Sequence, residues 1–502
     1  MMGFELAMAR PNRFLISSLL ALYLFLAASG CGGGARNVSD ILQPATGNVT
    51  LLGSDSPACD VVSFTVTITG ASLTPARGGS PVAVISSSSP ITVDFAALVD
   101  FTTVLRPLKV LTGTYSSITL TFADPHITVL DTARIPPQPV EIPATMTPLT
   151  VTADLNPTLA VGPSSSNALV IDFNLLKSLQ TDSNGQLTGT VIPVLQVSPA
   201  SASVGSGFGN LEELKGIVQA VARTHVNPAF TGSFTIPRTP TSTELLTVNA
   251  TDLTRFDGAA GISDLVPGKS FVEVDAYLDT SDNIVAKQVE AEGAVSATKG
   301  QGAFIGLITS LDRDSSGNAT QFDMWVREEA PDLTALVPQG SLLLVKVDGT
   351  TQFAITPDGV NQANLPFNAS SLGPGQSVIV HGQAQSGFPP SLTASSIFLR
   401  LQSIVGTLVP LPPPVVGGDG KTGGFNLASC SLLYGSGPFT VFTFGSTDFS
   451  GITGGGLTGL SEGPSFVVKG VALFEQSPVF VNGMGLNPPT TAVEAKDVRE
   501  LP

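Results

Sequence analysis

Charged, aromatic and reactive residues are all scarce in this sequence. Of 502 residues, three are cysteine, three histidine, four tyrosine and one tryptophan, and 12% are charged, about half the usual share for a globular protein. The formal net charge is −16, so the chain cannot neutralise phosphates along a groove, which argues against nucleic acid as a partner. The shortage of Lys, Glu and Arg also argues against coiled coils and long solvated helices.

What the sequence does contain is short apolar segments separated by turns. Gly and Pro occur 52 and 38 times, and polar and apolar residues alternate with period two, as in half-buried strands, at 63–69, 117–122 and 168–173. The plausible helical segments are few and short: 95–105, 175–179 and 211–214. Many short strands with few helices predict an all-β fold.

The N-terminus has the pattern of an export signal. Residues 8–13 are basic, residues 14–28 form an uncharged apolar run, and small residues precede Cys31. About 15 apolar residues are fewer than the ~20 that span a bilayer. The segment resembles the lipobox of bacterial lipoproteins. The resemblance implies cleavage after a signal peptide at 1–30, lipid attachment at Cys31 and a flexible tether at 31–47. Gly32, which is not Asp, favours the outer membrane.

The two remaining cysteines, Cys59 and Cys430, leave two interpretations open. An exported protein permits a disulfide between them. Such a bridge would close a very long loop and stabilise the fold by ~5 kcal/mol in the chain-entropy model. The alternative is a pair of buried, inert thiols.

Residues 48–200 resemble a bacterial lipoprotein family, the domain of unknown function 4382. The segments that carry the resemblance are 54–58, 68–73, 93–98, 111–115, 171–173, 177–179 and 191–195. The resemblance implies a β-sandwich on an exported protein and implies no reaction.

A repeat follows at 210–295, 300–400 and 403–502. The three units open at Gly216, Gly306 and Gly406. Each continues with a glycine turn before a strand, at 265–272, 372–379 and 460–467, and closes with Ala-x-x-Val or Ala-x-x-Ile, at 286–289, 394–397 and 495–498. The units resemble a second family, the domain of unknown function 5666. The predicted architecture is therefore an N-terminal β-sandwich followed by three tandem small β-barrel-like domains, OB-like by analogy.

One segment has the spacing of a calcium-binding loop. Asp312, Asp314, Ser316 and Asp323 place oxygens at positions 1, 3, 5 and 12, with Gly317 at position 6. Asp at position 12 is short for a bidentate ligand, the flanks read as strands, and Asp, Ser and Gly also suit a hairpin turn. The turn is favoured, and calcium is the alternative. The sequence predicts no other cofactor.

No other arrangement predicts catalysis. His126, His225 and His381 lie in different units and none belongs to a nucleophile motif. Glu273 with Asp275 and Glu290 with Glu292 each share a strand face, which predicts a solvated face more than a glycosidase pair. For Trp325 a core position is favoured over an exposed one.

These observations predict a non-enzymatic, lipid-anchored protein of the bacterial cell envelope. Its partners would be the membrane, through the lipid, and an envelope or extracellular polymer or protein that it captures or adheres to. One alternative is a hydrolase of envelope or extracellular polysaccharide. Another is a structural stalk without a ligand.

Overall fold

The structure is a computed structural model, and the described part of the chain is almost entirely β. It comprises residues 44–56, 61–98, 101–131, 133–134, 138–183, 186–203, 207–223, 227–239, 242–294, 300–356, 366–429, 438–449, 451–476, 480–482, 484–485 and 490–501. Strands account for 61% and helices for 3%. Within these residues, no helix has the length and apolar character needed to cross a membrane.

The first thirteen strands form a two-layered sandwich. They are β1 Thr46–Ser56, β2 Val61–Pro75, β3 Val82–Ile85, β4 Ile91–Asp94, β5 Thr103–Leu111, β6 Gly113–Asp131, β7 Gln138–Ile142, β8 Thr145–Met146, β9 Thr150–Val161, β10 Ser166–Asn174, β11 Leu179–Thr181, β12 Leu187–Val191 and β13 Leu195–Pro199. One sheet has the order β13-β10-β1-β5. The other has the order β3-β2-β6-β7, with β4 on β2 and β9 on β6, and β11-β12-β8 is a small third sheet.

The sandwich closes around an aromatic centre. The ring of Phe173 lies 5.2 Å from that of Phe64, 5.0 Å from Phe95 and 6.0 Å from Phe122. All four side chains are buried, and they come from both sheets because alternate residues of each strand point inward. In the described part of the sandwich, the helical elements are a 3-10 turn, Phe95–Ala97, and one short helix, α1 Leu175–Ser178.

The remaining strands form three barrels. The first contains β14 Asn210–Ile217, β15 Ala220–Ala222, β16 Gly232–Pro237, β17 Leu245–Ala250, β18 Arg255–Asp257, β19 Ser270–Leu278 and β20 Ile284–Ala294. The second contains β21 Gln301–Arg313, β22 Ala319–Ala330, β23 Leu342–Lys346, β24 Gln352–Ile355, β25 Ser377–Gln385 and β26 Ser391–Leu399. The third contains β27 Gln402–Val409, β28 Val415–Val416, β29 Gly423–Ser429, β30 Pro438–Thr443, β31 Ser465–Glu475 and β34 Thr490–Glu500. Between β31 and β34, β32 Phe480–Val481 and β33 Met484–Gly485 form a separate two-stranded sheet. Single 3-10 turns lie at Ile262–Asp264 and Leu457–Gly459.

All three barrels share one strand order. In the second barrel β21 pairs with β22 and β25, β25 with β26, and β23 antiparallel with β22 and parallel with β26, which closes the ring. The third barrel closes in the same way through β27, β29, β30, β34 and β31. The first barrel has the same order, β14-β19-β20-β17-β16, with β15 paired to β16. This five-stranded closure is that of an OB-type barrel.

The barrels also share a threonine in the turn after β17, β23 or β30, and it fastens that turn to β20, β26 or β34. Thr254, Thr351 and Thr447 donate their hydroxyls to the carbonyls of Ala286, Ala394 and Ala495, at 2.8, 2.9 and 2.8 Å. Each hydroxyl oxygen also accepts the backbone N–H three residues earlier in the chain. We call this arrangement the threonine clamp.

The sandwich and the barrels are packed together. Leu52 and Val104 of the sandwich belong to the apolar core of the first barrel. Phe271 of the first barrel packs with Ile379 of the second, and Leu473 of the third lies in the core cluster of the second. The cores are therefore continuous across these boundaries.

The structure confirms the predicted fold class, a β-sandwich followed by small closed barrels. The short helix predicted at 175–179 is present as α1. The helix predicted at 211–214 is wrong, because those residues lie in β14 beside β19, with a bulge between Leu211 and Leu214. Ladder hydrogen bonds override the local preference there.

Candidate functional site: a cleft between the sandwich and two barrels

The sandwich and the first two barrels enclose a cleft of about 500 Å³. Its walls come from β2 and β4 to β7 of the sandwich, from β14 and the segment after β16, and from β22 and the segment before β23. Ligand sites are typically concave and lined by apolar surface with a few convergent polar groups. This cleft is therefore the candidate binding site.

Trp325 forms part of the wall that the second barrel contributes. It lies on β22 between Leu307 of β21 and Leu342 of β23, and it packs in a small apolar cluster with Val62 of the sandwich. The sequence favours a core position, but the structure places this side chain half-buried at the cleft. A tryptophan in such a position offers a rigid apolar surface to a ligand.

Two cationic side chains of the cleft lining each contact a different domain from the one that carries them. Lys215 of the first barrel lies with its Nζ 3.3 Å from Oε2 of Glu328 in the second, and the Lys215 side chain is only 6% exposed. Arg327 of the second barrel donates from Nη2 to the carbonyl of Val62 in the sandwich at 2.7 Å. These contacts fix the walls of the cleft relative to each other.

A third cation of the cleft lining, Arg238, belongs to a separate network of charges. It donates from Nε to Glu244 at 2.9 Å. The second oxygen of that carboxylate accepts from Nη2 of Arg106 in the sandwich at 2.7 Å. Because one carboxylate bridges two guanidinium groups that are 10% and 12% exposed, the geometry of Arg238 is fixed before any ligand arrives.

The sandwich wall is rich in hydroxyl groups and holds one immobilised carboxylate. Asp94 accepts from the hydroxyl of Ser63 and the backbone N–H of Phe64, both at 2.9 Å, and from the N–H of Ala96 at 3.1 Å, where it caps the 3-10 turn. These three donors fix the position and orientation of the Asp94 carboxylate in the cleft wall.

The histidines show no catalytic arrangement in the described part of the chain. His126 lies at the cleft, with Nδ1 2.6 Å from Glu141, and both side chains are more than half exposed. His381 is buried between the rings of Phe271 and Phe398 at the junction of the first two barrels.

The proposed calcium loop is a hairpin turn between β21 and β22. Asp314 accepts the backbone N–H groups of Ser316 at 2.8 Å and of Asn318 at 2.9 Å. Hydrogen bonds to the backbone, that of Asn318 first, lower the pKa of Asp314. Gly317 supplies the positive φ of 85° that the turn requires.

The other two acids of that segment have separate partners on the strands. Asp312 accepts from Nε2 of Gln321 at 2.7 Å, and Asp323 accepts from the hydroxyl of Ser310 at 2.8 Å. Among the described residues, no group of three or more His, Cys, Asp or Glu is arranged to hold a metal ion. The geometry favours the turn, and calcium binding stays a prediction.

The prediction that Glu273 and Asp275 lie on a solvated face is wrong. Their side chains are 12% and 23% exposed and face Arg400, which follows the last strand of the second barrel, and Lys496 of the third barrel. Burial, more than any nearby charge, raises the pKa of Asp275 to about 6. Glu290, also predicted to be solvated, is buried. Period-two alternation identifies the outside of a barrel but does not distinguish solvent from another barrel.

Several predicted residues lie outside the described part of the chain. They are Cys31, Cys59, Cys430 and His225. The lipid attachment and the disulfide therefore stay predictions.

Most residues of the cleft give no signal in the sequence. Lys215, Arg238 and Arg327 are isolated cations, and Asp94 ends an ordinary strand. They come together only because the sandwich and two barrels pack against each other. Trp325 and His126 are the two cleft residues that the sequence analysis considered, because tryptophan and histidine are rare in this chain.

Comparison with known proteins identifies two domain families. The model of a domain of unknown function, DUF4382, matches residues 46–188, and that of a second, DUF5666, matches residues 215–290. No curated protein matches the chain. Among solved structures, one titled drosophila Unr CSD456 is similar over 57% of this chain and 96% of its own, with 10% identity and a TM-score of 0.12.

Proposed function

We propose that this chain is a lipid-anchored protein of the bacterial cell envelope that binds a polyhydroxylated ligand in the cleft without transforming it. One observation carries the proposal: the cleft combines Trp325, hydroxyl side chains and charges already fixed by neighbouring groups. Sugars present apolar ring faces and many hydroxyl groups, so an indole surface beside fixed hydrogen-bonding groups suits them.

The cleft supports binding better than hydrolysis. Asp94 is occupied by three donors. The described carboxyl groups whose pKa burial raises all lie outside the cleft lining; they are Asp275 (to about 6), Asp282, Glu329, Glu475 and Glu494 (to about 8). A glycosidase needs a general acid of raised pKa beside a second carboxylate. The apolar cores of the sandwich and the barrels are continuous. This packing favours a binding protein over a stalk of independently folded domains.

The second and third barrels are, in this proposal, diverged copies of the domain that DUF5666 describes. Support comes from the strand order that all three barrels share and from the threonine clamp, which has the same bonds in each.

Replacing Trp325 with alanine is expected to weaken ligand binding by about 30-fold or more, because truncation of a central aromatic anchor typically costs 2 kcal/mol or more. The measurement is calorimetric titration after screening a panel of neutral and acidic oligosaccharides of two to eight units. Phe388→Ala is the matched control, since Phe388 is fully exposed away from the cleft lining, and this variant should bind as the wild type does. If Trp325→Ala and the wild type bind the ligand with equal affinity, the cleft is not the binding site.

The anchor is tested by protease treatment of intact cells that express the wild type or Cys31→Ser. The wild type should stay with the membrane fraction, and the variant should be released because it lacks the lipid. Removal of the wild-type body by protease would indicate display on the cell surface, and protection would indicate a periplasmic orientation. A Cys31→Ser variant that fractionates with the membrane as the wild type does would contradict lipid attachment.

A further inference from the structure

The outer face of one sandwich sheet is an array of threonine side chains. On β2, β4, β6 and β9 apolar residues point into the core, and the residues that alternate with them point outward. The outward residues include eight threonines, Thr65, Thr67, Thr69, Thr92, Thr119, Thr121, Thr150 and Thr152. These eight residues are half-buried or exposed, and we call them the threonine face.

The threonines are in register across the strands. Thr67 is opposite Thr92, Thr119 opposite Thr152, and Thr121 opposite Thr150. The paired hydroxyl oxygens lie 3.1, 2.8 and 3.4 Å apart. A hydroxyl is one donor and two acceptors, so each pair keeps hydrogen-bonding capacity beyond the bond it makes. The rows repeat at ~6.6–7 Å along a strand and ~4.8 Å between strands.

Charged groups adjoin the threonine face at two places: Asp94 and His126 are opposite Thr65, and Asp154 follows Thr152 on β9. Threonine suits strands, so a threonine by itself needs no functional reason. Exposed edge strands, however, are commonly protected from association by charged side chains, and β9 presents Thr150 and Thr152, both exposed, before its first acidic residue, Asp154. An uncharged, periodic set of hydroxyls is complementary to a neutral polymer with a periodic set of hydroxyls.

The threonine face is continuous with the cleft. Thr65 and Thr92 belong to the face and also line the cleft, where Trp325 forms another wall. From there β2 leads to Thr67 and Thr69, and β6 and β9 continue the array. A chain seated against Trp325 can therefore extend over the threonine face without leaving the hydroxyl surface.

We propose that the ligand is a neutral polysaccharide, bound with one part in the cleft against Trp325 and the rest along the threonine face. This inference rests on the proposed function and specifies its ligand. In this arrangement the cleft binds one part of the polysaccharide at any length. The threonine face adds binding affinity that increases with the length of the polysaccharide, and we call it the threonine track.

The test measures affinity against ligand length. The probes are neutral glucan, mannan and galactan oligomers of two, four, six and eight units, titrated into the wild type, Trp325→Ala and the triple variant Thr67→Val, Thr119→Val, Thr121→Val. Valine keeps the shape and strand preference of threonine and removes the hydroxyl. Wild-type affinity for the best-bound glycan should rise about tenfold or more from two to eight units. The valine variant should lose that rise and keep the affinity for the dimer, whereas Trp325→Ala should bind every length more weakly.

Each outcome decides a different statement. Binding that does not change with length, or a valine variant that equals the wild type at eight units, overturns the threonine track and leaves the cleft as the site. Preference for acidic over neutral oligomers overturns the neutral polymer. Failure of every oligomer, neutral or acidic, to bind overturns the proposed function itself. A second triple variant with serine at the three positions keeps the hydroxyls and should retain the length dependence, which separates lost hydrogen bonds from lost folding.

Discussion

Replacing Arg400 with alanine is expected to lower the free energy of unfolding by about 3–5 kcal/mol, because it leaves a buried carboxylate without its cation. Arg400 follows the last strand of the second barrel and donates from Nε to Oε1 of Glu273, on the first barrel, at 3.0 Å; Nη2 donates to the same oxygen. The two side chains are 8% and 12% exposed. The pair therefore fastens two barrels at a site that water scarcely reaches.

Two controls distinguish this loss from a general effect of removing arginine. Arg134 forms an exposed ion pair with Asp131 at 3.0 Å, and Arg134→Ala should cost less than about 1 kcal/mol. The double variant Arg400→Met, Glu273→Met removes both charges together, and its stability should lie much nearer the wild type than that of Arg400→Ala. Chemical denaturation gives the comparison. If Arg400→Ala and Arg134→Ala cost the same, the Arg400–Glu273 pair does not hold the barrels together.

The stability of the wild type should fall as the pH rises from about 5 to about 8, and Glu494→Gln should remove much of that fall. Glu494 lies on β34 in the third barrel and is fully buried, and among the described residues neither of its carboxyl oxygens has a hydrogen-bond partner. Burial raises its pKa to about 8, whereas a free glutamate titrates near 4.3. Between these values the native state holds a proton that the unfolded state has released, so the free energy of unfolding falls with pH, by up to about 1.4 kcal/mol per unit.

Above about pH 8 Glu494 is ionised in both the native and the unfolded state, so the destabilisation caused by its buried charge is fully present. Below about pH 4 Glu494 is protonated in both states, and this destabilisation is absent. Glutamine has nearly the shape of the protonated side chain and does not titrate. The measurement is the free energy of unfolding at each pH unit from 5 to 9, taken as the difference between wild type and variant because Asp275 contributes a slope of the same sign near pH 6. Glu462→Gln, at an exposed turn, is the matched control for the loss of one carboxylate. Parallel curves for the wild type and Glu494→Gln would mean that Glu494 is ionised in the native state.

The strands and their grouping into a sandwich and three barrels followed from local patterns. Alternation at 63–69 and 117–122 predicted two strands of the sandwich, and the repeated glycine turn and Ala-x-x-Val segments marked the barrels. These signals span a few residues, and backbone geometry converts them directly into strands.

The packing between units could not be predicted from this single sequence. Lys215 meets Glu328, and Glu273 meets Arg400, across more than a hundred residues. An isolated charge on the outside of a barrel has the same sequence pattern whether water or another barrel faces it. The cleft forms only through those contacts. The sequence therefore drew attention to Trp325, because tryptophan is rare in it, but could not predict that this side chain lines a cleft.

The threonine clamp bears on how distant relatives of these barrels can be recognised. The threonine and the alanine that it bonds are 32, 43 and 48 residues apart in the first, second and third barrels. Insertions therefore change the spacing of the two residues while the hydrogen bond persists. A hydroxyl bonded to a backbone carbonyl leaves almost no mark on hydropathy and depends on only one side chain. Searches that allow a variable gap between that threonine and the closing alanine should therefore recover copies whose remaining residues have diverged beyond ordinary sequence comparison.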